Sequence, residues 1–315
     1  MRPPSGWVSW GFTSMHVPVL LEEVLRYLDP QPNQHFVDAT AGEGGHSFAI
    51  LERTQPRGRV LAVERDPELV RILEQRVRSL GLEKRLIVRK ENFSHLKIVA
   101  QGSGFPKVAG ILLDLGLSSW HLEKSQRGFS FGRNEPLDMR FDPKSSRPSA
   151  ATLLEELDAN QLTDLFRRYG DEPHADKVAK AIVCLRKNNP IRKTDELREI
   201  CENVVPGRRP AIHPATRVFQ ALRIAVNDEL NALKLALPQT LELLESRGCL
   251  VIISFHSGED RIVKHFLREA KDKIRILTRK PLRPSRYEIN QNPRARSAKM
   301  RVAERLASSR EGNPR

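Results

Sequence analysis

The chain has 315 residues, of which 29% are charged and 39% hydrophobic, a balance typical of a soluble globular protein with one large or two modest domains. It contains no run of about eighteen apolar residues, which excludes a transmembrane helix. The three cysteines, Cys184, Cys201 and Cys249, are widely spaced and lack a metal-ligand pattern, so we expect reduced thiols, no metal site and a cytoplasmic location.

Positive charge is concentrated near the end of the chain. The formal net charge is +14, and residues 271–315 alone hold fourteen Lys and Arg against four Asp and Glu. Such a surplus favours a polyanionic partner, most simply a nucleic acid, although a solvated basic tail would also explain it. We expect Arg294, Arg296, Lys299 and Arg301 to lie along an RNA backbone. Alternatively, they pair with nearby carboxylates and support the last strand.

The first residues do not resemble a secretory signal. Residues 1–14 lack an apolar core, so we expect a disordered N-terminal extension before Met15. Apolar residues then recur at the spacing of an amphipathic helix between Leu20 and Leu28. This helix leads into the first predicted strand at Phe36.

A glycine-rich turn follows that strand. Asp38 ends the strand, and the turn runs through Gly42-Glu43-Gly44-Gly45-His46-Ser47 into a helical pattern. Strand, glycine turn and helix in this order are typical of the first unit of a doubly wound α/β fold. The third glycine of the dinucleotide motif is missing, and Glu43 would repel a pyrophosphate. A glycine turn after the first strand is also common in α/β proteins without such a ligand.

A carboxylate ends the second predicted strand. Residues 60–63 form this strand, and Glu64 follows at the distance from the turn at which dinucleotide folds place a ribose-binding carboxylate. Two carboxylate-rich turns favour a nucleoside with a cationic rather than an anionic centre. S-adenosylmethionine is such a ligand, and we predict that it binds here.

Two further strands end in residues suited to the same ligand. Residues 86–88 form the third strand, which runs towards Phe93, and residues 108–113 form the fourth, which ends at Asp114. Because the ligand crevice of an open α/β sheet lies at the carboxyl ends of its strands, we expect Asp38, Glu64, Phe93 and Asp114 to converge. The alternatives are an ordinary core phenylalanine at 93 and helix-capping aspartates.

After the fourth strand, the sequence predicts a loop and a helical segment, followed by further strands of the sheet. A loop covers residues 128–140, and the segment from 143 to 214 is expected to be all helical. We predict a long helix over residues 216–246, a fifth strand over residues 249–254, a helix over residues 260–270, and strands over residues 274–277 and 299–303.

Several stretches in the order of the chain resemble one family. They are Met15-His16-Val17-Pro18-Val19-Leu20-Leu21, Gly44-Gly45-His46-Ser47, Ile111-Leu112-Leu113-Asp114-Leu115-Gly116, Arg127-Gly128-Phe129-Ser130-Phe131, Pro136-Leu137-Asp138-Met139-Arg140, His213-Pro214-Ala215-Thr216-Arg217, Ser254-Phe255-His256-Ser257 and Asn292-Pro293-Arg294-Ala295-Arg296-Ser297. Together they resemble the 16S ribosomal RNA cytosine-N4 methyltransferases, the RsmH family, formerly MraW.

This resemblance implies a fold and a domain organisation. The fold is the class I S-adenosylmethionine-dependent methyltransferase (Rossmann-like) sheet, with a helical insertion domain between the fourth and fifth strands. We expect a methyltransferase domain over residues 15–142 and 215–308, the insertion over residues 143–214, and a tail over residues 309–315.

The resemblance also implies a reaction and a set of cofactor contacts. S-adenosylmethionine is the methyl donor, and a cytidine in the decoding region of 16S ribosomal RNA, alone or in the small ribosomal subunit, is the acceptor. The cofactor contacts carry over to Gly44, Gly45, His46, Glu64, Phe93, Asp114 and His121. Two positions depart from the family: Glu64 stands where Asp is common, and Ser118-Ser119-Trp120-His121 replaces Ser-Ser-Pro-Gln.

Assignments for catalysis and RNA binding remain open between alternatives. Asp114 and His256 are catalytic candidates, but a histidine at 256 would equally serve as a helix cap or core residue. Asp138 and Arg140 are candidates for nucleotide binding or for pairing with each other. Arg217 is a candidate for phosphate binding or an ordinary charge on a helix surface, and Arg294 and Arg296 complete the RNA-binding candidates.

Two other classes of protein share part of this pattern. A DNA cytosine-N4 methyltransferase would share the cofactor half, although DNA amino-methyltransferases carry an Asp/Asn-Pro-Pro-aromatic loop where this chain has Asp114-Leu115-Gly116-Leu117. A non-catalytic RNA-binding protein on the same fold would be expected to lose the glycines or the strand-end carboxylates.

Overall fold

A computed structural model describes residues 18–205 and 212–307 of the chain. The expected N-terminal extension, residues 1–14, and the expected tail, residues 309–315, therefore lie outside the described residues. Within them, the chain divides into two compact units. One is formed by the described residues up to Gly116 and from Asn231 onward, and the other by those of Leu117–Leu230. The sequence-based domain boundaries at 143 and 214 stay a prediction.

The first unit is built on a seven-stranded sheet. The strands follow the order β3-β2-β1-β4-β5-β7-β6, in which β7 runs antiparallel to β5 and β6 and the other pairs are parallel. This confirms the predicted doubly wound α/β fold. The strands are β1 His35–Asp38, β2 Arg59–Glu64, β3 Leu86–Lys90, β4 Val108–Asp114, β5 Leu244–Ser254, β6 Ile274–Ile276 and β7 Lys299–Arg305.

Successive residues of the central strands point to opposite faces of the sheet. Leu112 packs in one hydrophobic cluster, whereas its neighbours Ile111 and Leu113 pack in another. This alternation follows from the two-residue repeat of a strand, and burial of both faces explains why β4 reads as a continuous apolar run. Helices cover both faces, so the strand ends are left as the open edge of the layer.

The helices of the described residues follow in chain order. They are α1 Leu21–Leu28, α2 Gly45–Arg53, α3 Pro67–Ser79, α4 Leu96–Gly102, α5 Ser119–Glu123, α6 Ala150–Glu156, α7 Ala159–Gly170, α8 Ala175–Leu185, α9 Thr194–Val204, α10 Ala215–Asn227, α11 Glu229–Leu243, α12 Ser257–Glu269 and α13 Arg286–Gln291. None of them is both long enough and apolar enough to cross a membrane.

The second unit is helical and has its own core. Helices α6 to α10 pack around one cluster of buried side chains that includes Leu162, Phe166, Val178 and Leu222. Asp158 begins α7 with a capping box. Helices α6 to α9 lie in the segment that the sequence predicted to be helical.

The single long helix predicted over residues 216–246 is wrong. Asp228 adopts a left-handed backbone (φ 54°) that ends α10, and α11 begins at the next residue. Asp is one of the few residues that tolerate this conformation, because its short polar side chain bonds locally. The preceding Asn227 is buried and donates to the carbonyl of Met139 at 2.7 Å, which holds the end of α10 in place. Strand β5 then begins at Leu244, earlier than predicted.

Candidate functional site

The carboxyl ends of β1 and β4 lie side by side at the point where the strand order reverses. Asp38 is opposite Leu112 in the register, and the backbone N–H of Ala39 donates to the carbonyl of Leu112 at 2.9 Å. This is the topological switch point, where open α/β sheets form their ligand crevice. Asp38 and Asp114 therefore end the two strands that flank the expected site.

Packing within the chain requires the glycines of the turn after β1. Gly44 has a φ of +88°, and a Cβ there would lie 2.5 Å from Cδ1 of Leu73. A Cβ at Gly45 would collide with the ring of Pro18. The family resemblance implies cofactor contacts at Gly44 and Gly45, which stay a prediction. The structure explains both glycines by packing, because the turn lies directly against side chains of the same unit.

Asp38 ties the end of β1 to the first turn of α2. Its Oδ2 accepts a hydrogen bond from the Ser47 hydroxyl at 2.6 Å, and its Oδ1 accepts one from the Thr40 backbone N–H at 3.2 Å. The side chain is buried, and burial raises the pKa of this carboxyl, an effect that nearby His46 partly opposes. Asp38 thus fixes the shape of the glycine-rich turn.

Glu64 holds the same turn from the neighbouring strand. Its Oε2 accepts from the backbone N–H of Gly42 at 2.9 Å, and its Oε1 accepts from those of Arg65 and Asp66 at 2.8 and 2.9 Å. A carboxylate has about four acceptor positions, so three are already used. The predicted ribose contact stays a prediction, and the observed bonds fasten the turn to the end of β2.

His46 and Asp114 face each other with unsatisfied buried atoms. Nε2 of His46 lies 3.5 Å from Oδ2 of Asp114 without hydrogen-bond geometry. Both ring nitrogens of His46 and the Oδ1 of Asp114 are buried and have no hydrogen-bond partner among the described residues. Each buried unsatisfied polar group costs about 1–3 kcal/mol. An arrangement of this kind is suited to a ligand that supplies the missing donors and acceptors.

Phe93 lies beyond the end of β3 and is half-buried. It begins a short 3₁₀ turn, Phe93–His95, and packs against the hydrophobic cluster on one face of the sheet. Lys90 is paired with Glu64 in the register, so the end of β3 lies next to the Glu64 carboxylate. Stacking of an adenine on Phe93 remains a prediction.

His256 caps a helix after β5. Its Nδ1 accepts from the backbone N–H of Glu259 at 3.4 Å, and the Glu259 carboxylate accepts from the backbone N–H groups of Phe255 and His256. This reciprocal arrangement is a capping box at the start of α12. The capping alternative is therefore present in the structure, and a catalytic role for His256 stays a prediction. Its Nε2 is buried and lies 3.2 Å from Oε1 of Glu259 without hydrogen-bond geometry.

His121 lies in the second unit, inside a group of aromatic rings. Its ring centroid is 4.8 Å from that of Phe141, 5.2 Å from that of Phe129 and 5.6 Å from that of Trp120. The guanidinium of Arg127 lies 5.0 Å from the ring centre of Trp120. This packing gives His121 a structural role in its own unit, and its predicted contact with the cofactor stays untested.

Asp138 and Arg140 bind each other in the loop after α5. Arg140 donates from Nε and from a terminal nitrogen to the two oxygens of Asp138, at 2.8 and 2.7 Å. This bidentate pair raises the pKa of Arg140 and fixes the loop. The pairing alternative is thus observed. Arg217 is half-buried on α10, and nucleotide binding by all three residues remains a prediction.

The four cations considered for RNA binding divide into two pairs. Arg301 and Lys299 contact the Asp260 carboxylate at 2.7 and 3.5 Å, which lowers the pKa of Asp260 despite the opposing effect of burial. These two support β7, as the alternative interpretation proposed. Arg294 and Arg296 are exposed on a 3₁₀ turn over Pro293–Ser297.

Two residues near the site were not identified from the sequence. Glu288 on α13 accepts a hydrogen bond from the backbone N–H of Leu20 at 2.7 Å and interacts electrostatically with His46. Asn292 is buried, and its Oδ1 has no partner. No spacing rule in the sequence identifies Glu288 or Asn292 as a site residue. The one signal was that Asn292 begins the stretch Asn292-Pro293-Arg294-Ala295-Arg296-Ser297, which resembles the family.

Most buried side-chain atoms in the described part of the first unit that lack a hydrogen-bond partner belong to residues near the ends of strands. Among its described residues, buried side-chain atoms without a hydrogen-bond partner belong to His46, Asp114, His256 and Asn292. The first three follow or end β1, β4 and β5, and the fourth precedes β7. Because β7 is antiparallel, its start lies at the same edge as the ends of the others. His46, Asp114 and His256 therefore lie at the carboxyl edge of the sheet, and Asn292 lies seven residues before the strand that starts there.

Known proteins resemble this chain over nearly its whole length. The model of the MraW methylase family matches residues 13–306. The ribosomal RNA small subunit methyltransferase H of Thermomicrobium roseum is 47% identical, covering 94% of this chain and 95% of the relative. Proteins of the same name from Dehalococcoides mccartyi and Magnetococcus marinus are 44% and 43% identical. These alignments cover 94% and 93% of this chain, and 88% and 99% of the relatives.

Proposed function

The chain belongs to the MraW methylase family, and on that basis we propose that it methylates the N4 amine of one cytidine in the decoding region of 16S ribosomal RNA, with S-adenosylmethionine as donor. Relatives named ribosomal RNA small subunit methyltransferase H, 43–47% identical over most of their length, support this assignment. The structural observation that best supports the assignment is that buried polar atoms of His46, Asp114 and His256, at the carboxyl edge of the sheet, lack hydrogen-bond partners.

The residues at this edge fit S-adenosylmethionine. Asp38, Glu64 and Asp114 surround the glycine turn with carboxylates, which suit a sulfonium cation and disfavour a pyrophosphate. The unsatisfied nitrogens of His46 and the unsatisfied oxygen of Asp114 offer hydrogen bonds to the donor. We assign donor binding to Gly44, Gly45, His46, Glu64, Phe93 and Asp114. The bound donor supplies an electrophilic methyl group on a positively charged sulfur.

The main task of the protein is to align a weak nucleophile. The lone pair of a cytosine amine is delocalised into the ring, so alignment and hydrogen-bond acceptors must favour its attack. Asp114 is the first candidate, because its buried Oδ1 is an acceptor without a donor. His256 is the second candidate, through its buried Nε2, although its capping role limits how far the ring can move.

Charge supports an RNA substrate. The chain carries a formal net charge of +14, and Arg294 and Arg296 are exposed beside β7. Arg217, Asp138 and Arg140 are further candidates in the second unit. A base inside an A-form helix is not accessible to chemistry at its edge, so the target must be in a loop or unstacked. A cytoplasmic location follows from this substrate.

A methyl-transfer assay with labelled donor tests the proposal. We expect the purified protein to label 16S ribosomal RNA or small ribosomal subunits that lack the modification, and to leave duplex DNA unlabelled. Labelling of DNA in preference to RNA would instead support a DNA cytosine-N4 methyltransferase. Absence of transfer to every substrate, with RNA binding retained, would support a non-catalytic RNA-binding protein.

A further inference from the structure

Asn292 has a buried acceptor that nothing in the described structure uses. The residue is 7% exposed, and its Oδ1 has no hydrogen-bond partner. It stands at the start of the 3₁₀ turn over Pro293–Ser297, but its side chain makes no capping hydrogen bond there. An unmade hydrogen bond at a buried amide is costly, because the group has lost its contact with water and gained no partner. A capping role therefore does not explain this side chain.

The surrounding elements place Asn292 near the donor site. Its backbone N–H donates to the carbonyl of Glu288 at 2.6 Å. This bond ends α13, and the Glu288 carboxylate accepts from the N–H of Leu20. Leu20 follows Pro18, whose ring lies against Gly45 of the glycine-rich turn, so α13 lies close to the turn that is expected to hold the methyl donor.

The strand that follows gives the same location independently. Lys299, at the start of β7, is paired with Ser254 at the end of β5, and Asp114 at the end of β4 is paired with Ile253. The end of β4, the end of β5 and the start of β7 are therefore neighbours at one edge. Asn292 lies seven residues before the start of β7, and Asp114 at the end of β4 also has an unsatisfied oxygen.

The proposed reaction is favoured by a hydrogen-bond acceptor at the amine. As the amine nitrogen forms its bond to the methyl carbon, the sulfur–carbon bond breaks and its electron pair stays on sulfur. The nitrogen becomes positively charged and then loses one proton to water. An amide oxygen that accepts an N–H of this amine stabilises the developing charge, and it needs no change of protonation state to do so.

We propose that Oδ1 of Asn292 accepts a hydrogen bond from the N4 amine of the target cytidine, which makes Asn292 a catalytic residue. This inference rests on the proposed function, because it requires that a cytidine amine is the methyl acceptor. It accounts for the unsatisfied amide oxygen and for the lack of a capping bond.

Single-turnover methylation of unmodified small subunits tests the role of Asn292. Asn292→Ala should slow the transfer step about tenfold to a hundredfold, since each tenfold corresponds to about 1.4 kcal/mol of lost transition-state stabilisation. Asn292→Asp keeps an acceptor and should retain more of the rate than the alanine variant. Asn290→Ala is the matched control, because Asn290 is exposed on α13 two residues away.

Two further measurements separate this role from a structural one. The donor affinity of Asn292→Ala should match that of the wild type, and its free energy of unfolding should be no lower, because the deleted oxygen has no partner in the free protein. In a decoding-region oligonucleotide with one ¹⁵N-labelled cytidine amine, the amine proton resonance should shift on binding to the wild type. The shift should be smaller with Asn292→Ala.

Different results identify different failures. An unchanged transfer rate or an unchanged amine shift in Asn292→Ala, with an active wild type, would overturn the inference and leave the proposed function intact. A loss of stability or of donor binding in this variant would assign Asn292 a structural role and overturn the inference as well. A wild type that methylates neither 16S RNA nor the subunit would overturn both.

Discussion

The backbone N–H of Gly42 donates a hydrogen bond of 2.9 Å to Oε2 of Glu64, so the glycine-rich turn after β1 is fastened to the end of β2. The other oxygen of the same carboxylate accepts from the N–H groups that open the connection to α3. One buried side chain thus joins two consecutive β–α turns of the proposed donor site. Substitutions at Glu64 should affect both the shape of the turn and the contact with the donor.

Glu64→Ala should weaken donor binding and also lower the free energy of unfolding by about 1–3 kcal/mol, because three backbone N–H groups lose their acceptor. Glu64→Gln is the matched control, since its amide oxygen can replace only part of these contacts. Glu64→Asp should largely keep donor binding. Titration calorimetry and denaturant unfolding measure the two effects. Unchanged donor affinity in Glu64→Ala would show that the carboxylate does not hold the ribose.

Asp38 should make the stability of the protein depend on pH in a defined direction. Its pKa in the folded protein is raised by burial above the ordinary value of about 3.9. The folded state therefore binds a proton more tightly than the unfolded chain. The contribution of Asp38 to the free energy of unfolding then falls as pH rises from about 3.9 to the folded pKa, and is constant above it.

The Asp38→Asn variant isolates this effect. Relative to the wild type, its free energy of unfolding should rise across the same pH window, by about 1.4 kcal/mol for each tenfold difference in proton affinity between the folded and unfolded states. Denaturant unfolding of both proteins from about pH 4 to about pH 7 measures the difference. A difference that is independent of pH, or that changes in the opposite direction, would contradict the raised pKa.

Aromatic packing predicts the response to substitution of His121. His121→Ala should destabilise the protein by about 1–3 kcal/mol, because it removes a ring packed between Phe129 and Phe141. His121→Phe retains a ring without nitrogens, and His121→Gln restores the residue common in the family. If His121 contacts the donor through a nitrogen, the phenylalanine variant should lose donor affinity that the glutamine variant keeps. Equal donor affinity in both would leave packing as the role of His121.

Electrostatics of the C-terminal segment predict a salt dependence of RNA binding. Replacing Arg294 and Arg296 with Ala should weaken RNA binding and flatten the plot of log affinity against log salt by about 0.7 per lost phosphate contact on single-stranded RNA. Donor affinity should not change. Arg301→Ala serves as a contrast, because Arg301 binds Asp260 and should affect stability more than the salt slope. An unchanged slope in the double variant would place the RNA contacts elsewhere.

The sheet was predictable from the sequence because buried parallel strands have continuous apolar sequences that end in polar residues. All seven strands follow from such patterns, and the carboxylates at 38, 64 and 114 were located at strand ends for the same reason. The break at Asp228 was not predictable, since apolar residues continue at helical spacing on both sides of it.

Side-chain pairing was the part that patterns left open. Whether Arg140 binds a nucleotide or Asp138, and whether Arg301 faces RNA or Asp260, depends on contacts that linear spacing does not specify. Asn292 shows the same limit, because its significance lies in a hydrogen bond that is absent and in the antiparallel course of β7. A missing hydrogen bond of this kind is visible only in the folded protein, where the start of β7 and the end of β5 lie at the same edge of the sheet.

The modification state of one cytidine tests the central claim most directly. Mass spectrometry of the 16S decoding region should find N4-methylated cytidine in cells that contain this protein and unmodified cytidine when its gene is deleted. Return of the gene should restore the methyl group, whereas a gene carrying Asp114→Ala should not. An identical methylation pattern in the deletion strain would contradict the account.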